Sequence, residues 1–461
     1  MSLHDAVWDG DLNLAAKLIE DDGADINEPA DGEGTSPLHL ACFANRLEMV
    51  RLLLDRGADM EAQRADGLTP FHVAMMMNYL DIARFLLEQG ADIEATVNGM
   101  RALHGASRNG NVEAVQILLD RGADVHARDK DEWTPLHFEC GTQNVELVRM
   151  LLDQDADVNA KTNTGLTPLQ IACRVGDEDT VRLLLDRGAR IHETDKDLWT
   201  PLYFAVGGGH VEVVELLLDR DAEIDALDKN ESTPLLLACG AGWLDVALCL
   251  LNRGANLESR GRDSMSVLHR ACVHSHLEIA RLCLDRGANI EVHTEDLQCT
   301  PLHLACASNH LEVAELLLDR GANLEARQTD QFTPLHIACK ANHLEVARLL
   351  IDRGANIEGH EKTGFTSLHI ACKWNRLDIV RLLLDCGAKI QAKAKNTRTA
   401  LHIACRKGHL DITRMLIERG ASLEVKTREG LTPLHVAGKN NHSDIVWLLV
   451  HQSPWLLLDR S

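Results

Sequence analysis

His336-Ile337-Ala338-Cys339 sets an imidazole three positions ahead of a thiol, the separation at which two side chains share one face of a helix. An isolated pair of this kind could ligate zinc or run thiolate chemistry. The densest cluster of such groups is HRACVHSH, which holds His269, Cys272, His274 and His276. No HExxH, phosphate-binding loop, paired CxxC or nucleophile elbow accompanies it. Gly207, Gly208 and Gly209 lack the strand and the lysine that a phosphate loop needs.

Recurrence decides between chemistry and architecture. The histidine recurs as His4, His39, His72, His104, His137, His269, His303, His336, His369, His402 and His435, and the cysteine as Cys42, Cys140, Cys173, Cys239, Cys272, Cys306, Cys339, Cys372 and Cys405. A catalytic pair is needed once, whereas a building unit is needed in every copy. In HRACVHSH only His274 falls outside the repeated positions, since His276 matches His210, His310, His343, His409 and His442. These residues are therefore read as structural, with no catalytic, cofactor-binding or metal site and no cofactor.

The elements that carry them repeat. Blocks of the type Thr-Pro-Leu-His start at Ser36, Thr69, Arg101, Thr134, Thr167, Thr200, Thr233, Ser266, Thr300, Thr333, Thr366, Thr399 and Thr432, after an incomplete copy at Leu3 and His4. Almost every spacing is 33 residues. Thr333 is a good N-cap and Pro334 suits the first helical turn, so a helix starts there. It stops near Asn342, where eleven of the thirteen full copies have Gly or Asn, residues that tolerate a left-handed cap. A second helix, LEVARLLID, closes at Gly354. An acid in its first turn (Glu48, Asp81, Glu113, Glu345, Asp411) suits the helix dipole, as does an Arg read into its last turn, such as Arg353. Helices this short are marginal alone and must stack.

The period and the T-P-L-H-x-A motif resemble the ankyrin repeat over essentially the whole chain. The resemblance implies an all-α solenoid of stacked helix-turn-helix pairs with short hairpin-like finger loops: a capping repeat at 1–33, twelve internal repeats over 34–428, and a last repeat with its cap at 429–461. It also implies that His336 bonds Thr333 and nearby backbone, and that the cysteine fills a small buried position between helices. Function in such a fold lies at positions the architecture leaves free: the finger tips, the residue before the motif Thr and the exposed end of the first helix, all on the concave face.

The residue before the Thr is apolar in ten of thirteen copies, Trp133, Trp199, Phe332 and Phe365 among them. Such a column either packs on the neighbouring finger or offers anchors to a partner. The end of the first helix changes from Phe43, Met76 and Met77, through Gly207, Gly208, Gly240 and Ala241, to Lys340, Lys373 with Trp374, Arg406 with Lys407, and Lys439. Residues 389–442 carry eleven basic and four acidic side chains, a local +7 against −30 for the rest.

These features give the expectation of a non-enzymatic scaffold binding proteins or peptides. Trp133, Trp199, Phe332, Phe365 and Trp374 would be anchors, and Lys340, Lys373, Arg406, Lys407 and Lys439 would read an acidic or phosphorylated segment. The alternatives are a substrate-recognition adaptor for a ubiquitin ligase and the ankyrin part of a larger signalling or channel protein.

Composition bounds the setting. The 461 residues are 45% hydrophobic, 25% charged and only 3% aromatic, which suits many thin helical layers. No apolar run approaches the roughly 18 to 20 residues needed to span a bilayer, so no membrane insertion is expected. The acidic start MSLHDAVWDGDLNLAAKLIEDD reads as neither a secretory signal nor a transit peptide. Thirteen cysteines without an export signal point to a reducing compartment, the cytoplasm or the nucleus. A net charge of −23 argues against general nucleic-acid binding. A monomer is expected.

Two irregular regions stand out. The motif His is replaced by Gln170, Tyr203 and Leu236, Glu139 takes the place of the small buried Ala, and Asp155 and Asp221 replace a helix-ending Gly, so a softer stretch is expected near 134–240. At the end, Ser453 and Pro454 should stop the last helix. Trp455, Leu456, Leu457 and Leu458 either fold over the end of the stack, the favoured reading, or mark a chain cut from a longer one.

Overall fold

In a computed structural model, residues 2–452 are described. They contain 28 helices and a single pair of two-residue strands, Thr96–Val97 and Met100–Arg101. First helices of five to eight residues alternate with second helices of nine, the last having ten. This is the all-α helix-pair architecture expected. The chain divides into two compact units at Ala226–Leu227, and within each unit successive helix pairs stack side by side. The Ser453 and Pro454 stop and the Trp455–Leu458 cap lie outside the described residues.

The 333 copy shows how sequence makes the unit. Thr333 has extended N-cap geometry (φ −91°, ψ 167°), Pro334 begins the helix Pro334–Ala341, and Asn342 ends it with φ 70°. Positive φ recurs at the matching residue of every full copy, including the two that are neither Gly nor Asn, Gln143 (61°) and Ser275 (62°). The stack thus keeps this corner left-handed even where the residue is neither Gly nor Asn. Leu335, Ala338 and Cys339 face inward and are buried, as are Val346, Ala347 and Leu350 of the second helix. Each fully buried Leu contributes about 1.5–3 kcal/mol relative to exposure, a gain available only when a neighbouring copy covers it.

Twelve of the thirteen cysteines are buried and all are free thiols. Burial pushes the repeat thiols far above their ordinary range, as at Cys42 and Cys173, so they behave as compact apolar groups.

The arginine after the second helix needs a correction. Arg353 does not lie in the last turn but is the C-cap residue itself. Its guanidinium reaches Asp319 of the preceding copy at 2.7 Å. Arg187–Asp153 (2.8 Å), Arg320–Asp285 (2.7 Å) and Arg419–Asp385 (2.7 Å) repeat the contact. These arginines tie copy to copy, each pair contributing up to about 1 kcal/mol at such exposure.

Candidate functional site

Nine of the eleven motif histidines are held at both ring nitrogens, His336 among them. The Thr333 N–H donates to His336 Nδ1 (3.2 Å), the Thr333 hydroxyl lies 2.8 Å from the same nitrogen, and Nε2 donates to the carbonyl of Gly359 in the next finger (3.1 Å). Because Nδ1 accepts a backbone N–H, the ring is the neutral Nε2–H tautomer. Burial lowers His39, His72, His104, His303 and His402 below the ordinary value of 6.5, and takes His137, His269, His336 and His369 to about 4. A group locked neutral between two copies is a strut and not a general base at neutral pH. In the HRACVHSH cluster, His269 binds Ser266 and the Cys299 carbonyl, and His276 bonds the Gly240 carbonyl of the preceding copy (3.1 Å). The His274 ring stacks on His276 at 6.0 Å.

The apolar finger column is half-buried, neither bare nor sealed. Each aromatic contacts the side chain four residues on, in the helix that follows it: Trp133 with His137 (5.8 Å) and Phe138 (5.1 Å), Trp199 with Tyr203 (5.6 Å) and Phe204 (5.4 Å), Phe332 with His336 (5.8 Å) and Phe365 with His369 (5.5 Å).

Five of the ten candidate residues converge. Lys340 Nζ lies 5.7 Å from the Phe332 ring centre and 5.5 Å from that of Trp374, and Lys373 Nζ lies 5.7 Å from Phe365 and 5.8 Å from Trp374. The result is a run of alternating rings and ammonium groups, Phe332–Lys340–Trp374–Lys373–Phe365, with Trp374 44% exposed at its centre. Two clefts flank it. One, of about 430 Å³, is mainly apolar, with Leu297, Leu304, Ala307 and Ile337 in its wall. The other, of about 310 Å³, is more polar and lies one copy further on, against Ile370 and Lys373. Both share Phe332, Lys340 and Trp374.

The charges in this cluster are unequally engaged. Glu361 is buried; although burial favours its neutral form, hydrogen bonds from Thr363 and from the Phe365 N–H hold it below the usual carboxylate range. Asp330 faces Lys362 at 3.8 Å. Lys340 and Lys373 have no carboxylate partner among the described residues. Arg406, Lys407 and Lys439 are also exposed and unpaired there, but they lie in later copies and join neither cleft. Trp133 and Trp199 belong to the other compact unit. In that unit Met76 is 52% exposed beside a small cleft of about 160 Å³ that Arg108 also lines.

A family model described as ankyrin repeats (3 copies) matches residues 3–97, 103–195, 188–261, 258–328, 324–394 and 384–455. The chain belongs to the ankyrin-repeat family. Relatives match over short stretches. An ankyrin repeat protein of Fowlpox virus (strain NVSL) is 42% identical over 64 residues, 14% of this chain and 15% of that one. Protein phosphatase 1 regulatory subunit 27 of Mus musculus is 46% identical over 43 residues, 9% of this chain and 28% of that one, and the Homo sapiens protein matches to the same extent. The chain thus spans well under a third of the length of these relatives. Among the described residues, no helix is long and apolar enough to cross a membrane.

Two ankyrin features escaped the sequence reading. The second histidine column, noticed only as a recurrence, is a clamp: His210 bonds the Arg174 carbonyl (3.0 Å), His310 that of Val273 (2.9 Å) and His442 that of Arg406 (3.2 Å), each in the preceding copy. Its rings lie so close to the corner glycines that a Cβ on Gly242 or Gly408 would sit 2.6 Å from His276 or His442. The paired recurrence of that Gly and the later His is the signal that could have revealed it. The other feature is Gln170. Its Oε1 accepts the Thr167 N–H (2.8 Å), and its Nε2 donates to the carbonyls of Glu193 (3.0 Å) and Trp199 (2.9 Å), so it reproduces the histidine's bonds. The expectation that Gln170 loosens the motif is corrected on this point.

Proposed function

We propose that the chain is a non-enzymatic scaffold that captures partner proteins or peptides on the face formed by its fingers and first-helix ends, with an acidic or phosphorylated segment as the guest. The ring–ammonium run supports this most directly. Lys340 and Lys373 are held between aromatic faces without a carboxylate partner, while the nearby acids are engaged by their own surroundings. A cation over an aromatic face gains about 0.5–1 kcal/mol at an exposed site, enough to orient the ammonium without neutralising it. The rigid helix pairs beneath lose little entropy on binding, so a few anchors and matched charge carry the affinity. Trp374, Phe332 and Phe365 supply the apolar contact, and Arg406, Lys407 and Lys439 extend the positive field. Trp133 and Trp199 offer half-buried edges for a separate contact.

Nine of the eleven motif histidines are held at both ring nitrogens and the motif thiols are buried, which supports an absence of catalysis. Thirteen free cysteines support a reducing setting, the cytoplasm or nucleus. The test is quantitative capture from lysate by the native chain and by a variant with Lys340, Lys373, Arg406 and Lys407 changed to Glu. The variant should keep its thermal transition and recover a reduced set of proteins. Recovery of the same proteins in the same amounts would remove the proposal.

A further inference from the structure

The two clefts beside Trp374 differ in chemistry and are one copy apart. Leu297, Leu304 and Ile337 make the first greasy, whereas the second is lined by Lys340 and Lys373 together with Lys362, Asp330 and Glu361, of which Lys362 faces Asp330 and Glu361 accepts from its own loop. Lys340 stands on the wall between them. Adjacent helices pack about 8–10 Å apart, and an extended chain advances about 3.3 Å per residue. Side chains two residues apart share a face of a fully extended segment and those three apart share a side of a polyproline-II segment, so either separation reaches both clefts at once.

The charge suggests which anion fits. The run presents two ammonium groups without a carboxylate partner among the described residues, and Arg376, whose Nε donates to the Lys340 carbonyl (3.1 Å), lines the apolar cleft. Lysine ammonium groups act as point charges and bind phosphate as such. Two such charges match a phosphate ester, which carries about −1.5 to −2 at neutral pH, better than a single carboxylate.

We propose that these clefts read an extended protein segment carrying an apolar side chain in the Leu297–Ile337 cleft and, two or three residues away, a phosphorylated serine or threonine in the second cleft, which Lys340 and Lys373 both line. This deepens the scaffold reading and rests on it.

The test uses the full chain and fluorescein-labelled ten-residue peptides of Gly and Ser bearing one Leu and one phosphoserine, separated by one to five positions. Matched peptides carry Glu or unmodified Ser in place of the phosphoserine. Fluorescence anisotropy should show tightest binding at separations of two or three, at least tenfold weakening with Glu or Ser, and similar losses for Lys340→Glu and for Ala307→Trp, which fills the apolar cleft from an exposed position. Circular dichroism of both variants checks the fold. Binding that is independent of separation, equal for Glu and phosphoserine, or untouched by either variant would overturn the proposal. If no peptide binds while the four-lysine/arginine variant still loses proteins in the lysate comparison, this inference falls and the scaffold reading stands.

Discussion

A neutral imidazole is the only form that fits the motif position, because Nδ1 must accept the Thr N–H while Nε2 donates to the next finger. Protonation would set two donors against each other. The folded pKa of His137, His269, His336 and His369 is about 4, below the ordinary 6.5, so between these values the unfolded chain binds more protons. Stability is therefore complete above about pH 6.5 and falls as pH drops towards 4, by on the order of 3 kcal/mol for each such histidine. Gln170 shows that an amide makes the same bonds, so His336→Gln should leave stability at pH 7 within about 1 kcal/mol and reduce its slope between pH 6.5 and 4. Urea titrations across that range check this, and an unchanged slope would contradict it. Glu139 has the opposite sign. It stands where the other full copies have Ala, Thr142 donates to its Oε2 at 3.1 Å, and its Oε1 has no partner among the described residues. Burial pushes its pKa up to about 8 from 4.5, so its cost grows as pH rises from 4.5 to 8. Glu139→Ala should stabilise the chain by about 1–3 kcal/mol, more at pH 8 than at pH 5, as thermal melts at the two pH values would show. The histidine column was legible from recurrence alone. The equivalence of Gln170 was not, because it depends on where two carbonyls of the next finger happen to lie.

At the scale of elements, helix starts and stops were readable because they rest on local rules: a Thr cap, Pro in the first turn, and a left-handed residue at the end. What joins one element to the next was not. The Arg353–Asp319 contact spans 34 residues and looked like dipole compensation, and the His210 clamp reaches a carbonyl 36 residues back. Both belong to stacking, which no single helix encodes. The irregular copies follow the same logic. Asp155 and Asp221 adopt φ of 62° and 65° where other copies have Gly, at a cost of about 1 kcal/mol each. Leu236 forms none of the side-chain hydrogen bonds of the histidine it replaces. Asp221→Gly should therefore raise stability by about 1 kcal/mol. Amides of 134–240 should exchange faster than those of 300–440, Gln170 and its neighbours being the best protected within the first group. Equal protection of the two regions by hydrogen exchange would contradict this.

Across the whole molecule, repetition separates what holds the fold from what is free to bind. Each copy contributes the same buried Leu, Ala and Cys positions, and stability in such an array is close to a sum over copies and their nearest-neighbour contacts. The unrepeated residues are few, and Phe332, Lys340, Phe365, Lys373 and Trp374 are gathered into one cluster. Their letters were visible in the sequence as departures from the period. Their convergence was not, since it requires that the end of one first helix lie beside the finger base of its own copy and the helix end of the next. The basic stretch 389–442, in a chain of net −23, follows these five residues in the sequence and contains none of them. The central claim is that the repeated His and Cys build the array while this cluster binds. It is tested most directly by measuring, for a protein recovered by the native chain, the Kd of three forms: native, Lys340→Glu/Lys373→Glu/Trp374→Ala, and His336→Gln. The account predicts at least a tenfold weaker Kd for the triple variant and an unchanged Kd for His336→Gln. A triple variant that binds as the native chain does, with affinity lost instead on changing His336, would contradict it.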